Sequence, residues 1–113
     1  MPLRTEMLTN GIGLIEVKGT LLTEEEIVAL RAAVSGFVDR RWRKLIIDLS
    51  SLTYVNSTAI GVLVSAHTTY SKKEWQLKFC NVNKHISAIF AITKLTHVFS
   101  IYETREEAIK SIT

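Results

Sequence analysis

The chain has 113 residues, 47% of them hydrophobic and 22% charged, with Gly 5 and Pro 1. That profile fits one globular domain and excludes collagen-like, low-complexity and wholly disordered chains. The single cysteine, Cys80, rules out an intramolecular disulfide and a four-cysteine zinc site. No apolar run nears the roughly 18 residues of a membrane span, and the opening Met1-Pro-Leu-Arg-Thr-Glu has no apolar signal-peptide core, so a cytoplasmic protein is expected. The net charge is +3, and the densest basic run is Arg40-Arg41-Trp42-Arg43-Lys44. An indole between arginines suits nucleic acid, but the run reads as a solvated loop with Trp42 folded back. A membrane-surface role is expected still less, because the neighbouring helix is not a basic amphipath, and neither nucleic-acid contact nor membrane insertion is expected.

In chain order, Thr5–Thr9 and Ile12–Lys18 read as a hairpin around Asn10-Gly11, where both residues tolerate positive φ. Gly19 is expected to end the second strand. Thr23-Glu24-Glu25-Glu26 is a capping box, followed at helical spacing by Ile27, Leu30, Val34, Phe37 and Val38 as far as about Arg40. Lys44–Leu49 is a nearly continuous apolar strand, as found where both sheet faces are covered. A loop with a short extended approach (Leu52, Tyr54, Val55) then leads to a second helix. That helix runs from Asn56-Ser57-Thr58 to about Ser71, with Ile60, Leu63, Val64 and His67 along one side. Gln76–Val82 is a further strand. Asn83 caps a helix to about Thr93, with Ile86, Ile89, Phe90 and Ile92 inward, and His97–Tyr102 is a last short strand. Thr104-Arg105-Glu106-Glu107 is a second capping box, opening the final helix. The order ββαβαβαβα predicts a single α/β domain over residues 1–113, a mixed sheet of about five strands with about four helices and right-handed crossovers.

Enzyme signatures are lacking. Gly11-Ile12-Gly13 lies in a hairpin and Gly61 stands alone in a helix, so no phosphate loop follows a strand. His67, His85 and His97 lack metal-ligand spacing, and Cys80 reads as a buried small hydrophobe. Asp48, ending the apolar strand, has the position of a general base but reads better as a strand-end carboxylate bonding loop amides. No enzyme activity, metal or cofactor is expected.

One segment stands out: strand Ile46–Leu49, then a loop, then Asn56-Ser57-Thr58-Ala59-Ile60-Gly61 opening a helix. Asn56 or Ser57 is suited to cap that helix. An exposed serine there equally suits a phosphate, whose negative charge the free amides and the helix dipole favour. Spacing alone does not choose between the two.

Asp48-Leu49 followed by Asn56–Gly61 resembles the STAS family, anti-sigma factor antagonists of bacterial partner-switching systems. There a strand ending Asp-Leu leads to an Asp-Ser-[Ser/Thr]-Gly-[Leu/Ile]-Gly motif at the start of the second helix. The early hairpin and Leu95-Thr96-His97-Val98-Phe99 extend the resemblance over almost the whole chain. It implies that Ser57 is phosphorylated by a partner serine kinase, itself the anti-sigma factor, and that Asn56, Ser57, Thr58, Ala59 and Ile60 form the partner-binding segment. The unphosphorylated domain would bind the kinase and free the sigma factor for transcription; a phosphatase would reset the phosphorylated form. Asn56 stands in place of the motif's Asp, Ala59 in place of Gly, and Leu22 where many antagonists carry Asp after Gly19-Thr20-Leu21. These departures keep open a second implication, that of an unphosphorylated STAS subunit in a lipid-transport ABC complex or another regulatory assembly.

Overall fold

The computed structural model describes residues 3–112; Met1, Pro2 and Thr113, which the expected range 1–113 includes, lie outside the described residues. Five strands, β1 (Leu3–Met7), β2 (Ile12–Leu21), β3 (Lys44–Val55), β4 (Gln76–Cys80) and β5 (Ile101–Tyr102), lie side by side in chain order. The β1–β2 pair is antiparallel and all other pairs are parallel. Helices α1 (Glu24–Asp39), α2 (Ser57–Lys72), α3 (Lys84–Ile92) and α4 (Arg105–Ile112) supply the crossovers and the C-terminal element, in the expected order.

Strand alternation divides the core. Leu45, Ile47 and Leu49 of β3 join Ile27, Leu30, Val34 and Phe37 of α1, with α2 and α3, in the larger cluster. Ile46 and Cys80 face the other way, against Ala108 and Ile112 of α4. Both sheet faces are thus covered, the reason β3 reads as an unbroken apolar run. Gly13 packs closest to a helix: a Cβ there would stand 2.6 Å from Phe37 Cε1, so only glycine lets α1 approach.

Several expectations need correction. In the hairpin only Gly11 takes a positive φ (74°), with Gly11 N–H on the Leu8 carbonyl and Leu8 N–H on that of Ile12. This is a type I turn closed by a left-handed glycine, and it leaves Asn10 with ordinary φ. Gly19 does not end β2: it bends the strand at φ 78° beside register shifts, and Thr20 and Leu21 still pair with Tyr54 and Val55. The loop expected after Leu49 is therefore strand as far as Val55, paired to that bent end. On α2 the buried face is Ala59, Val62, Leu63, Ala66 and Tyr70, with Ile60, Val64 and His67 only half-buried. Ile92 points outward at 82% exposure, and His97 belongs to a 3-10 turn (Leu95–His97) that seats Phe99 against Phe79 and Phe90. Strand β4 stops at Cys80.

Helices α1 and α2 end alike. Arg41 and Glu74 sit left-handed (φ 60° and 59°), and Trp42 N–H and Trp75 N–H reach back to the Phe37 and Tyr70 carbonyls. Each indole packs edge-on against the aromatic ring five residues earlier, the apolar contact that accompanies this helix stop. Tyr70 Oη donates to the Trp42 carbonyl at 2.8 Å and ties the two ends together. Burial pushes the Tyr70 phenol up to about 12.

Candidate functional site

Strand β3 carries the chain to the C-terminal edge of the sheet, and α2 starts there. Asn56 is the N-cap: its Oδ1 accepts from Ala59 N–H at 2.9 Å, satisfying an amide that the helix leaves unpaired. Its Nδ2 donates to the Leu22 carbonyl at 3.0 Å, and its own N–H to that of Leu21 at 3.3 Å. One side chain thus caps α2 and clamps it to the β2–α1 turn. Asn83 repeats the device, capping α3 through Ile86 N–H and donating to the Leu52 carbonyl.

The same turn is held from the other side. Glu26 accepts from the Thr23 and Leu22 amides, both at 3.0 Å, and from the Thr20 hydroxyl at 2.9 Å. Those bonds, Thr23 first, hold its carboxyl down to about 2. Leu22 is therefore fixed by its N–H to Glu26 and by its C=O to Asn56, with its side chain 45% exposed.

Ser57, with the cap supplied by Asn56, is the first residue of α2 and is exposed. Among the described residues no hydrogen bond engages its hydroxyl. Thr58 and Gly61 are exposed, Ile60 is half-buried, and Ala59 is fully buried with its methyl in the core. The first turn of α2 has no acidic side chain, whereas that of α1 has Glu24, Glu25 and Glu26. The positive end of the α2 dipole thus has no side-chain anion from its own first turn. A cleft of about 510 Å³ opens beside it, lined by Leu22, Glu24, Ile27, Val28, Asn56 and Thr58. It meets, at Arg31 and Thr58, a second cleft of about 420 Å³ between α1 and α2. A Cβ at Gly61 would touch nothing, so this face lies open to an approaching surface.

Asp48 lies elsewhere, on the α4 side of the sheet, and is 1% exposed. Arg105 donates to its Oδ2 through Nη2 at 2.8 Å and Nε at 3.1 Å, and also reaches Glu16 at 2.9 Å. The Ser50 amide and Asn81 complete the shell. Desolvation pushes the Asp48 carboxyl up, but the bonds from Ser50, Arg105 and Asn81 outweigh it and leave it below its ordinary value. Held in this way, Asp48 fastens α4 to the sheet. Composition showed nothing of this pairing, because Arg105 reads as one more exposed charge of a capping box. In that box Thr104 accepts from Glu107 N–H as expected, while the Glu107 carboxylate meets the Thr104 hydroxyl instead of its amide. Burial, and then Asp48, push the Cys80 thiol up to about 12. His85 packs edge-on against Tyr54, and His67 lies tilted against Phe99. Among the described residues no three His, Cys, Asp or Glu side chains gather in a metal-binding group, and no helix is long and apolar enough to cross a membrane.

A mixed five-stranded sheet whose third strand delivers a capped helix with an exposed serine defines a small α/β domain with its open surface at one sheet edge. The STAS domain family model matches residues 8–108, and the chain belongs to that family. A protein described as a candidate anti-sigma factor antagonist, BtrV of Bordetella bronchiseptica, is 25% identical over 79 residues, 70% of this chain and 68% of its own. A candidate antagonist of Thermotoga neapolitana is 24% identical over 76 residues, 67% of each chain. In structure, a candidate antagonist from Thermotoga maritima has a TM-score of 0.89 at 18% identity, covering 97% of this chain and 93% of that one. The anti-sigma factor antagonist SpoIIAA of Bacillus has the same fold in its phosphorylated form, with a TM-score of 0.78 at 19% identity, covering 98% of this chain and 99% of that one.

Proposed function

We propose that this STAS domain is an anti-sigma factor antagonist. It binds an anti-sigma factor serine kinase through Asn56, Ser57, Thr58, Ala59 and Ile60 and is released when the kinase phosphorylates Ser57, so that the cycle governs sigma-factor-dependent transcription. The observation that carries this reading is the division of labour at the start of α2. Asn56 does the capping and Ser57 has no structural bond to lose, so a phosphate can be added without disturbing the fold. In the transfer the Ser57 oxygen takes the γ-phosphoryl group of ATP, its proton leaves to a base of the kinase, and ADP departs. The new charge is favoured locally by the unoccupied helix dipole, yet costs desolvation and repulsion in any closely packed interface. Release of the partner follows from that opposition, and a phosphatase restores the serine.

Leu22 and Asn56 support the second reading, a subunit of a lipid-transport or other regulatory assembly that is never phosphorylated. An exposed leucine and an amide occupy the two places where an antagonist carries acids, and they lie against each other. The deciding experiment is incubation with the cognate kinase and ATP. One phosphate on the wild type and none on Ser57→Ala, with kinase binding intact, is the expected result. Phosphate on Thr58 overturns Ser57 as the acceptor, and no phosphate with no kinase binding removes the antagonist reading.

A further inference from the structure

The basic run 40–44 does not stand alone in the fold. The Tyr70 hydroxyl on the Trp42 carbonyl and Gln76 N–H on the Arg43 carbonyl (2.9 Å) bring Lys72 and Lys73 beside it, where α1 and α2 end and β3 and β4 begin. Arg40, Arg41, Arg43, Lys44, Lys72 and Lys73 thus share one pole of the molecule. The segments 39–44 and 72–76 hold six of the chain's 14 Lys and Arg but only two of its 11 Asp and Glu, Asp39 and Glu74, so everything outside them is net acidic. The positive charge of the protein belongs to this pole. Among the described residues none of the six cations is in an ion pair, and all except the half-buried Lys44 are exposed.

The geometry points to this pole as an electrostatic docking surface for an anionic lipid membrane, without insertion. Four observations favour a membrane over a nucleic acid or an acidic protein. Arg41 and Lys73 lie over the Trp75 ring at 5.7 and 5.1 Å, and Trp42 packs on Phe37, so the indoles are not open platforms for bases. The pole is built from helix ends and the hairpin tip, with no helix or ribbon laid lengthwise to enter a groove. Long cations without ion-pair partners suit the diffuse field of anionic headgroups better than a directed protein contact. Half-buried tryptophans beneath them match the amphipathic side chains of a membrane interface. Ser57 and Lys72 are the first and last residues of α2, about 22 Å apart at 1.5 Å per residue. The docked domain therefore turns its Ser57 end away from the membrane, and a phosphate there lies well beyond the Debye length of about 8 Å.

The test is co-sedimentation of the whole chain with phosphatidylglycerol–phosphatidylcholine vesicles and with phosphatidylcholine alone, at about 0.15 M salt. Binding to the anionic vesicles only is expected. It should weaken about tenfold or more in Arg43→Gln/Lys72→Gln/Lys73→Gln, and stay within about twofold in Arg4→Gln/Lys18→Gln/Lys84→Gln and in Ser57→Asp. A melting curve confirms that each variant is folded. Equal binding to neutral vesicles, or undiminished binding by the basal triple variant, overturns the proposal. So does retention by a short DNA duplex or a polyglutamate peptide with the vesicles ignored, which would reassign the pole to nucleic acid or to an acidic protein.

Discussion

Asn56 Nδ2 donates to the backbone carbonyl of Leu22 across 34 residues of sequence, at 3.0 Å. A carboxylate cannot make this bond, because it has no proton to give. The two positions at which this chain departs from the acidic pattern of its family are therefore in contact, and an amide at one fixes the backbone of the other.

Asn56→Asp should consequently move two readouts in opposite directions. The cap survives, since both residues cap well, but the clamp becomes a carboxylate facing a carbonyl, and stability should fall by about 1–2 kcal/mol. Restoring the charge next to Ser57 should raise its phosphorylation rate about tenfold, or about 1.4 kcal/mol of barrier. Urea titration and a time course with the cognate kinase measure the pair. Unchanged stability would show that the Leu22 bond contributes nothing.

Changes at Ser57 should spare the fold. Ser57→Ala should lie within about 0.5 kcal/mol of the wild type and Ser57→Asp about 0.3–1 kcal/mol above it, because no acid yet occupies the first turn of α2. Asn56→Ala should lose about 2 kcal/mol, as both cap and clamp disappear. Thermal melts separate these cases; a large loss in Ser57→Ala would make the serine a structural residue.

Arg105→Ala should be the most damaging of these substitutions, at about 3 kcal/mol, since it leaves the buried Asp48 charge without its main partner. Replacing both, as Asp48→Leu/Arg105→Leu, should recover much of the loss. Hydrogen exchange in α4 should quicken in the single variant first. Uniform loss of protection would show that α4 does not open by itself.

Acid should weaken the fold through Glu26 before Asp48. Both carboxyls are held below their ordinary values, so each contributes stability that is complete above its unfolded value and fades as pH falls through the folded one. For Glu26 that window runs from 4.5 down to about 2, and for Asp48 it opens near 3.8. Melting temperature should be level from about pH 7 to 5 and decline below, with Glu26→Gln showing a flatter upper decline. An identical acid limb in that variant would remove Glu26 from the account.

Local chemistry was readable from sequence wherever it stayed local. The capping box of Thr23 and Glu26, the caps Asn56 and Asn83 and the apolar period of α1 need only neighbours within a turn, and all are found where expected. The missed features depend on pairing at a distance. Residues 50–55 mix Ser50, Ser51 and Thr53 with Leu52, Tyr54 and Val55 and read as a loop with a short extended approach, yet the bent end of β2 pulls them all into the sheet. Large side chains signal burial and place the face of α2 at Ile60, Leu63, Val64 and His67; only Leu63 of these is buried, whereas the close approach of the sheet selects Ala59, Val62 and Ala66. Ser57 was visible as a motif residue, but its freedom from capping duty became apparent only with Asn56 in place. Leu22 as a backbone partner left no sequence signal at all, since any residue offers a carbonyl.

Both indoles of the chain, Trp42 and Trp75, close helices at the same end, with the serine at the start of α2 about a helix length away. The protein thus carries its own optical probe, placed asymmetrically. Emission near these rings registers global unfolding and anything that settles on the basic end, while chemistry at Ser57 leaves it dark. A change of tryptophan fluorescence on adding a ligand would therefore tell an observer which end of the molecule has been visited.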